Sequence, residues 1–501
     1  MTDRPHLRRE LTNTGVSSDG AGGRPPAGTM TTARGQPWTS TNGPAGSGEQ
    51  LVELVLGARQ RVGDGRLEAQ PLAAQVGADR TRPSGVAAVR RVELPEVAGH
   101  RPGGELRAEV LRHPYGGSPA PHRARRYGAD VTPWQPVGSG DPAADLVVSV
   151  HDLEPLAAQQ LAGAAWDYVA GGAGDERTLA DNDVAWSRHG LRPHAMVDVS
   201  GLTTATTLLG LDLEHPVLVA PTATHVRYHP GAELETLRGA TAAHTLMTLS
   251  SLGSTPATDF GAAASSAAAP WWMQVYLQRD RSLSYVYLDR AVASGAAALM
   301  LTVDTPSLGA RDRDKRDTFG AAHGLTFPNL AHLTPQPDPA PSHRRVWNPH
   351  LAYDVTPADI TALAERYGVP VMVKGVLRPD DARRAVDAGA AAVIVSNHGA
   401  RNLDTAPATA DVVASVVDEV GRDVPVLVDG GIRRGTDVAT ALCLGASAVL
   451  VGRPVIWGLS TYGAAGVQHV VEMLAAEMSM AMSLLGAPTV EDLTRDLLLR
   501  V

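Results

Sequence analysis

Between residues 370 and 453 four short apolar runs each stop on polar residues: PVMVKG (370–375), AVIVSNHG (392–399), VLVDGGIR (426–433) and AVLVGR (448–453). The runs are continuous rather than alternating, as in parallel strands covered on both faces. Toward the N-terminus the pattern recurs four more times. The predicted strands are Val217–Ala220, Leu246–Leu249, Met273–Leu277, Ala298–Val303, Val371–Val376, Ala392–Ser396, Val426–Asp429 and Ala448–Gly452. Helix-length segments separate most of them, one opening on a proline and a reciprocal cap, Thr356-Pro357-Ala358-Asp359. Eight such units over roughly 290 residues predict an α/β fold, a TIM (β/α)8 barrel, whose usual size is about 250 residues. A doubly wound open sheet is the alternative, and it seldom reaches eight units. The gap of about 65 residues between strands four and five is too long for a simple crossover, and predicts a long functional loop at about 306–356.

The barrel domain is assigned to residues 146–501. Its first helical pattern runs from Asp152 through Leu156, Leu161, Ala165 and Tyr168 to Gly171-Gly172. Residues 1–145 are instead rich in Gly, Pro, Ser and Thr, and are expected to form a low-complexity, disordered extension. Residues 1–140 contain 18 Arg, no Lys and 13 acidic residues, so a basic tail that contacts an acidic partner is the other reading. The 501-residue chain has a formal net charge of −9, which leaves the main body acidic and argues against nucleic acid as its ligand. One cysteine, Cys443, excludes a disulfide scaffold and a cysteine zinc cluster, and no metal is expected. No run approaches the roughly 18 uncharged apolar residues of a membrane span. The opening MTDRPHLRRE has no apolar core after its basic residues. A soluble, cytoplasmic protein with no membrane contact is the expectation.

In a TIM barrel the active site gathers at the C-terminal ends of the strands. Here the eight ends carry Pro221-Thr222-Ala223, Ser250-Ser251, Gln274 with Tyr276, Thr302 with Asp304, Lys374-Gly375, Ser396-Asn397-His398-Gly399, Asp429-Gly430-Gly431 and Gly452-Arg453. So many converging polar groups predict a large polar ligand in the barrel mouth. Asp429-Gly430-Gly431-Ile432-Arg433 and Gly452-Arg453 pair close backbone approach with cationic side chains, at the seven–eight position where this fold usually holds a phosphate. Lys374 is one of two lysines beside 42 arginines, and an ammonium inside a strand needs a counter-charge. It reads as a Schiff-base nucleophile, a snorkelling edge residue or the partner of an anionic ring. His398 at a strand end is a structural histidine or a general base. In the second case Asp304 would stabilise the imidazolium formed on proton abstraction. Arg311 and Arg401 could clamp a small carboxylate. Surface ion pairing is the simpler reading, more so for Arg311, which opens the charged run 311–317.

The segments Ser396-Asn-His-Gly-Ala-Arg-Asn-Leu-Asp404 and Asp429-Gly-Gly-Ile-Arg-Arg-Gly-Thr-Asp437 resemble the FMN-dependent 2-hydroxy acid oxidase/dehydrogenase family. That family includes glycolate oxidase, lactate oxidase and monooxygenase, and mandelate dehydrogenase. Trp166-Asp-Tyr168, Pro221-Thr-Ala223, His229-Pro230, Gln274-Val-Tyr276, Leu301-Thr-Val-Asp-Thr-Pro306 and Val373-Lys-Gly375 add to the likeness, which runs from about Asp152 to Leu499. The extension has no counterpart in the typical family member.

The resemblance implies FMN across the barrel mouth. Its phosphate would meet Arg433, Gly452 and Arg453, and its ring Pro221, Thr222, Ala223, Ser250, Gln274, Thr302, Lys374 and Ser396. Lys374 would then face the N1–C2 edge of the flavin, which displaces the Schiff-base reading. Arg401, Arg311 and Tyr168 would hold the substrate carboxylate, with Tyr276 near the 2-hydroxyl. His398, backed by Asp304, would act as general base. The implied reaction oxidises a 2-hydroxy acid to the 2-oxo acid, with O2 as acceptor and H2O2 as product, in a homo-oligomer that by resemblance is a tetramer. Ala223, where dehydrogenase members often have Gly, favours the oxidase. Alternatives are a dehydrogenase with another acceptor, a lactate 2-monooxygenase-like enzyme, an FMN-barrel isomerase and a non-catalytic flavoprotein. Leu252, where glycolate oxidase has an aromatic residue, and the unusual Thr224-His225-Val226-Arg227 leave the acid itself open.

Overall fold

A computed structural model describes residues 134–316, 327–333 and 351–500. Eight parallel strands form a closed barrel: β1 (Val217–Val219), β2 (Met247–Leu249), β3 (Trp271–Val275), β4 (Ala298–Thr302), β5 (Val371–Val376), β6 (Ala392–Val395), β7 (Val426–Asp429) and β8 (Ala448–Val451). β8 hydrogen-bonds to β1 and completes the ring. The strands read as unbroken apolar runs because both faces are buried. Alternate residues point into the barrel or out to the helices. Leu218, Trp272, Met300, Met372, Ile394, Leu427 and Leu450 fill the interior. Val217, Val219, Met273, Leu299, Leu301, Val373, Val393, Val395, Val428 and Val449 join the surrounding helical layer. The hairpin of Thr206–Leu208 and Leu211–Leu213 immediately precedes β1 and packs Leu208 and Leu213 against the interior set.

The same two-residue period explains where the polar strand ends go. One step beyond each interior apolar residue stand Gln274 after Trp272, Thr302 after Met300 and Lys374 after Met372. Ser396 after Ile394, Asp429 after Leu427 and Gly452 after Leu450 follow the same rule. The last inward layer of the barrel is therefore polar, and it is the floor of the site.

Three expectations change. The third strand begins two residues earlier than predicted and ends at Val275, so Tyr276 and Leu277 lie beyond it. Trp271 and Trp272 are strand residues, one packed outward on Phe260 at 5.2 Å between ring centroids and one inward. The single helix predicted near 152–170 is two, α1 (Val150–Gln160) and α2 (Gly163–Ala170). The break falls at Leu161 and Ala162, both extended (φ −82°, ψ 140° and φ −59°, ψ 148°), and the second helix starts at Gly163. The third change is the domain edge. Residues 134–145, placed in the extension by composition, pack on the barrel: the Trp134 indole donates to the Ser460 carbonyl at 2.9 Å, and Val137 N–H donates to Thr461 at 2.9 Å.

The rest of the predicted extension, residues 1–133, lies outside the described residues, as do 317–326 and 334–350 of the loop predicted at 306–356. The cap predicted at Thr356 is present: Asp359 Oδ2 accepts the Thr356 N–H at 2.8 Å, and Pro357 opens the helix Pro357–Tyr367. No helix among the described residues is long and apolar enough to cross a membrane.

Candidate active site

One cavity at the C-terminal mouth of the barrel is lined by nearly every residue singled out from the sequence. Tyr168, Pro221, Thr222, Ala223, Ser250, Gln274, Tyr276, Thr302, Arg311, Lys374, His398, Arg401, Asp429, Gly430, Gly431, Ile432, Arg433, Gly452 and Arg453 all face it. Asp304 and Ser396 do not. They stand behind His398 and Lys374 and hold them.

His398 follows β6 on a strained turn. His398, Gly399 and Ala400 have φ of 58°, 60° and 61°, three consecutive left-handed residues of which only one is glycine. Such a conformation persists only when its surroundings enforce it. Asn397 does this: its Oδ1 accepts the Ala400 N–H at 3.1 Å, and its side chain pairs reciprocally with Asn182 at 3.0 and 2.7 Å. Asn182 lies on α3 (Arg177–Ala185), and both amides are buried.

The turn aims His398 Nδ1 at Asp304 Oδ1, 2.8 Å away. A carboxylate there accepts from Nδ1–H, which leaves the Nε2 lone pair toward the cavity and Tyr276 Oη, at 3.2 Å. Burial alone would raise the Asp304 carboxyl, but His398, Lys374 and Thr305 outweigh it and hold it below its ordinary value. Asn402 Nδ2 donates to the Asp304 carbonyl at 2.8 Å and fixes the backbone. Gly375 makes the approach possible. It sits in a bulge of β5 at φ +106°, and a Cβ there would lie 2.5 Å from that of Asp304. Burial and Asp304 raise Tyr276, so its phenol stays protonated and able to donate.

Across the floor, Lys374 Nζ is 2.7 Å from Asp429 Oδ2 and donates to Ser396 Oγ at 2.6 Å, with all three side chains buried. The counter-charge that a strand-borne ammonium requires is thus Asp429. Gln274 joins β2 to β4, its Oε1 accepting from Ser250 Oγ at 3.2 Å and Ser251 N–H at 3.1 Å, its Nε2 donating to Thr302 Oγ1 at 3.0 Å.

Beyond β7 and β8 the charge is positive. Arg453 begins the helix Arg453–Tyr462 and donates to three carbonyls, Val169 at 2.8 Å, Gly399 at 2.9 Å and Gly171 at 2.9 Å. Desolvation pushes its guanidinium down to about 9, and Arg401 and Arg433 press the same way. Arg433 lies 3.0 Å from Asp183 and over the Trp457 ring at 4.9 Å. Gly431, at φ +78°, passes so close to Asn182 that a Cβ would overlap its carbonyl.

Tyr168, on α2, gathers two arginines around its ring. The guanidinium carbons of Arg401 and Arg311 are 4.7 and 5.9 Å from its ring centroid. Arg401 Nη1 donates to the Tyr168 and Gly171 carbonyls at 2.6 and 2.9 Å, and its buried Nη2 has no hydrogen-bond partner among the described residues. Sequence reasoning missed Asn182, Asn402, Asp314 and the structural role of His225, whose Nε2 is hydrogen-bonded to the Thr222 hydroxyl at 2.5 Å. Buried polar residues on helices and loops were their only signal, and their partners are remote in sequence.

A nucleotide fits this cradle. Asp429 Oδ1 is buried with no hydrogen-bond partner among the described residues, as a ribityl or ribose hydroxyl would require of an acceptor. Arg453, bonded to neutral carbonyls at a helix N-terminus, is a cation seeking an anion. Barrel, basic cradle beyond β7 and β8, and His–Asp pair define the class: a TIM-barrel oxidoreductase that carries a flavin nucleotide.

The family model described as FMN-dependent dehydrogenase matches residues 157–500, and the chain belongs to that family, with FMN as its cofactor. The peroxisomal (S)-2-hydroxy-acid oxidase of Oryza sativa subsp. japonica is 44% identical over 356 residues, covering 70% of this chain and 95% of the relative. An L-lactate oxidase of Nostoc sp. is 42% identical, covering 69% and 96%. The solved structure of mandelate oxidase with (S)-2-phenylpropionate superposes with a TM-score of 0.63 at 37% identity, covering 70% of this chain and 98% of that one.

Proposed function

We propose that the protein oxidises an (S)-2-hydroxy acid to its 2-oxo acid and passes the electrons to O2, giving H2O2. The observation that carries this reading is one cavity that holds an imidazole backed by a buried carboxylate, a phenol and two guanidinium groups. Arg311, Arg401 and Tyr168 bind the substrate carboxylate, and the Tyr276 hydroxyl orients the 2-hydroxyl. His398 Nε2 takes the hydroxyl proton, and Asp304 stabilises the cation that results. FMN, when bound, would supply the two-electron acceptor for this oxidation. Arg433, Gly452 and Arg453 hold its phosphate. Pro221, Thr222, Ala223, Ser250, Gln274, Thr302, Lys374 and the 429–432 segment would surround the rest, with Ser396 holding Lys374 from behind, and the Lys374 ammonium would favour an electron-rich ring.

Mixing the purified protein with (S)-lactate, glycolate and (S)-mandelate under anaerobic conditions tests the oxidation: at least one bleaches the bound flavin. Air then restores the colour with H2O2 formed. Bleaching without oxygen turnover would identify a dehydrogenase, and no bleaching by any hydroxy acid would refute the proposal. A cytoplasmic location and a homo-oligomeric state complete it. Subcellular fractionation and light scattering test them.

A further inference from the structure

The stretch Thr224-His225-Val226-Arg227, unusual in the sequence, plays no part in the reaction above. Its backbone is strained. Thr224 has φ 53° and ψ 58°, a left-handed conformation that a β-branched residue seldom adopts. The segment before it, Pro221-Thr222-Ala223, lines the cavity, so the strain is held at the cavity wall. His225 holds it there. Its imidazole is 0% exposed, with Nε2 hydrogen-bonded to the Thr222 hydroxyl at 2.5 Å and Nδ1 to the Thr236 hydroxyl at 2.8 Å. Thr236 belongs to the helix Ala232–Ala242, which also carries Glu233. The Glu233 carboxylate, 0% exposed, accepts the His225 N–H at 3.0 Å, the Ser254 N–H at 2.8 Å and the Thr255 hydroxyl at 2.8 Å. Burial draws His225 below its ordinary value against the pull of Glu233, so at neutral pH the ring is uncharged, one nitrogen donating and the other accepting. In either tautomer Thr222 keeps a further hydrogen-bonding function for a ligand in the cavity it lines. A Cβ at Gly452, in the basic cradle, would stand 3.7 Å from the Thr222 methyl carbon. An apolar side chain could back this wall without burying polar groups. A buried imidazole and carboxylate instead fix where one cavity hydroxyl stands.

We propose that His225 is a positioning residue for FMN: it fixes the Thr222 hydroxyl against the cofactor, while Glu233 locks the turn by holding the His225 backbone. The effect on FMN runs through one contact, Nε2 to Thr222. The Nδ1 contact to Thr236 anchors the ring. The proposal rests on FMN as the cofactor and is independent of which acid is oxidised.

Two substitutions separate the ring nitrogens. A Gln amide reaches the place of Nε2 and an Asn amide the place of Nδ1. His225→Gln therefore keeps the Thr222 contact, and His225→Asn keeps only the contact to Thr236. The full-length holoenzyme of each variant is diluted and the released FMN is followed by its fluorescence, which gives a dissociation constant. The expected constant stays within about threefold of wild type for His225→Gln. For His225→Asn it rises about tenfold or more, the worth of one buried hydrogen bond. Thr222→Val raises it by a similar factor, and adding His225→Asn to Thr222→Val raises it no further, because both act through one contact. Melting temperatures are recorded alongside, since a brace with no bearing on the cofactor would change stability and leave FMN binding alone. Equal constants for His225→Gln and His225→Asn would overturn the proposal, and so would additive effects in the double variant. If His225→Asn does not fold, Thr222→Val decides: an FMN constant within about threefold of wild type there refutes the role of the hydroxyl, and that of His225 with it.

Discussion

Asp304→Asn isolates the carboxylate charge behind His398 while keeping its size. The Asp304 and His398 atoms are 2.8 Å apart, and the carboxylate side chain is 13% exposed. At an effective dielectric constant of about 20, opposite charges some 4 Å apart between centres attract by about 4 kcal/mol. That attraction is fully present only when the imidazole has taken the substrate proton, so it acts on the transition state. At 1.4 kcal/mol per decade, the variant's flavin reduction rate falls by about 10³-fold. Asp304 does not line the cavity, so bound FMN and its absorption are retained. The assay is anaerobic stopped-flow reduction with saturating substrate, read at the flavin bands. A rate within threefold of wild type, with flavin bound, would refute the role given to Asp304.

Other perturbations follow from the same geometry. Gly375→Ala forces a Cβ to 2.5 Å from that of Asp304 at a φ of +106°, and is expected to lower thermal stability and slow flavin reduction together. Asn182→Ala removes the amide pair that enforces the left-handed turn, at about 1–3 kcal/mol by chemical denaturation, with slower reduction as His398 loses its aim. Asp304 is held below its ordinary value, so its contribution to stability is present at neutral pH and is lost as pH falls below 3.8 and through the lower folded value. Acid unfolding of Asp304→Asn should be correspondingly less pH-dependent. Lys374→Met leaves Asp429 as an unpaired buried charge, and a loss of about 3–5 kcal/mol with weakened FMN retention is expected from melting with and without added FMN.

The barrel was legible because each strand is an apolar run long enough to stand out, and its end is marked by polarity. The site was legible for the same reason: the residues that break those runs are the inward layer of the barrel mouth. Boundaries set by packing were not. Trp271 and Trp272 lay outside the predicted strand, and only their packing into opposite faces of the sheet reveals them as strand residues. The Asn182–Asn397 pair spans 215 residues, and one sequence offers no signal that two distant amides meet. Backbone conformation was also hidden. Nothing in the letters of His398 and Ala400 announces positive φ, since neither is glycine. Residues 134–145 were hidden by composition, their Gly and Pro content masking the few contacts that dock them.

The account stands on His398 as the group that removes the substrate proton. Single-turnover reduction of His398→Gln with its FMN still bound examines that directly. A loss of about 10² to 10⁴ in rate, with substrate affinity largely preserved through the arginines, is the result it predicts. Reduction at the wild-type rate would contradict it.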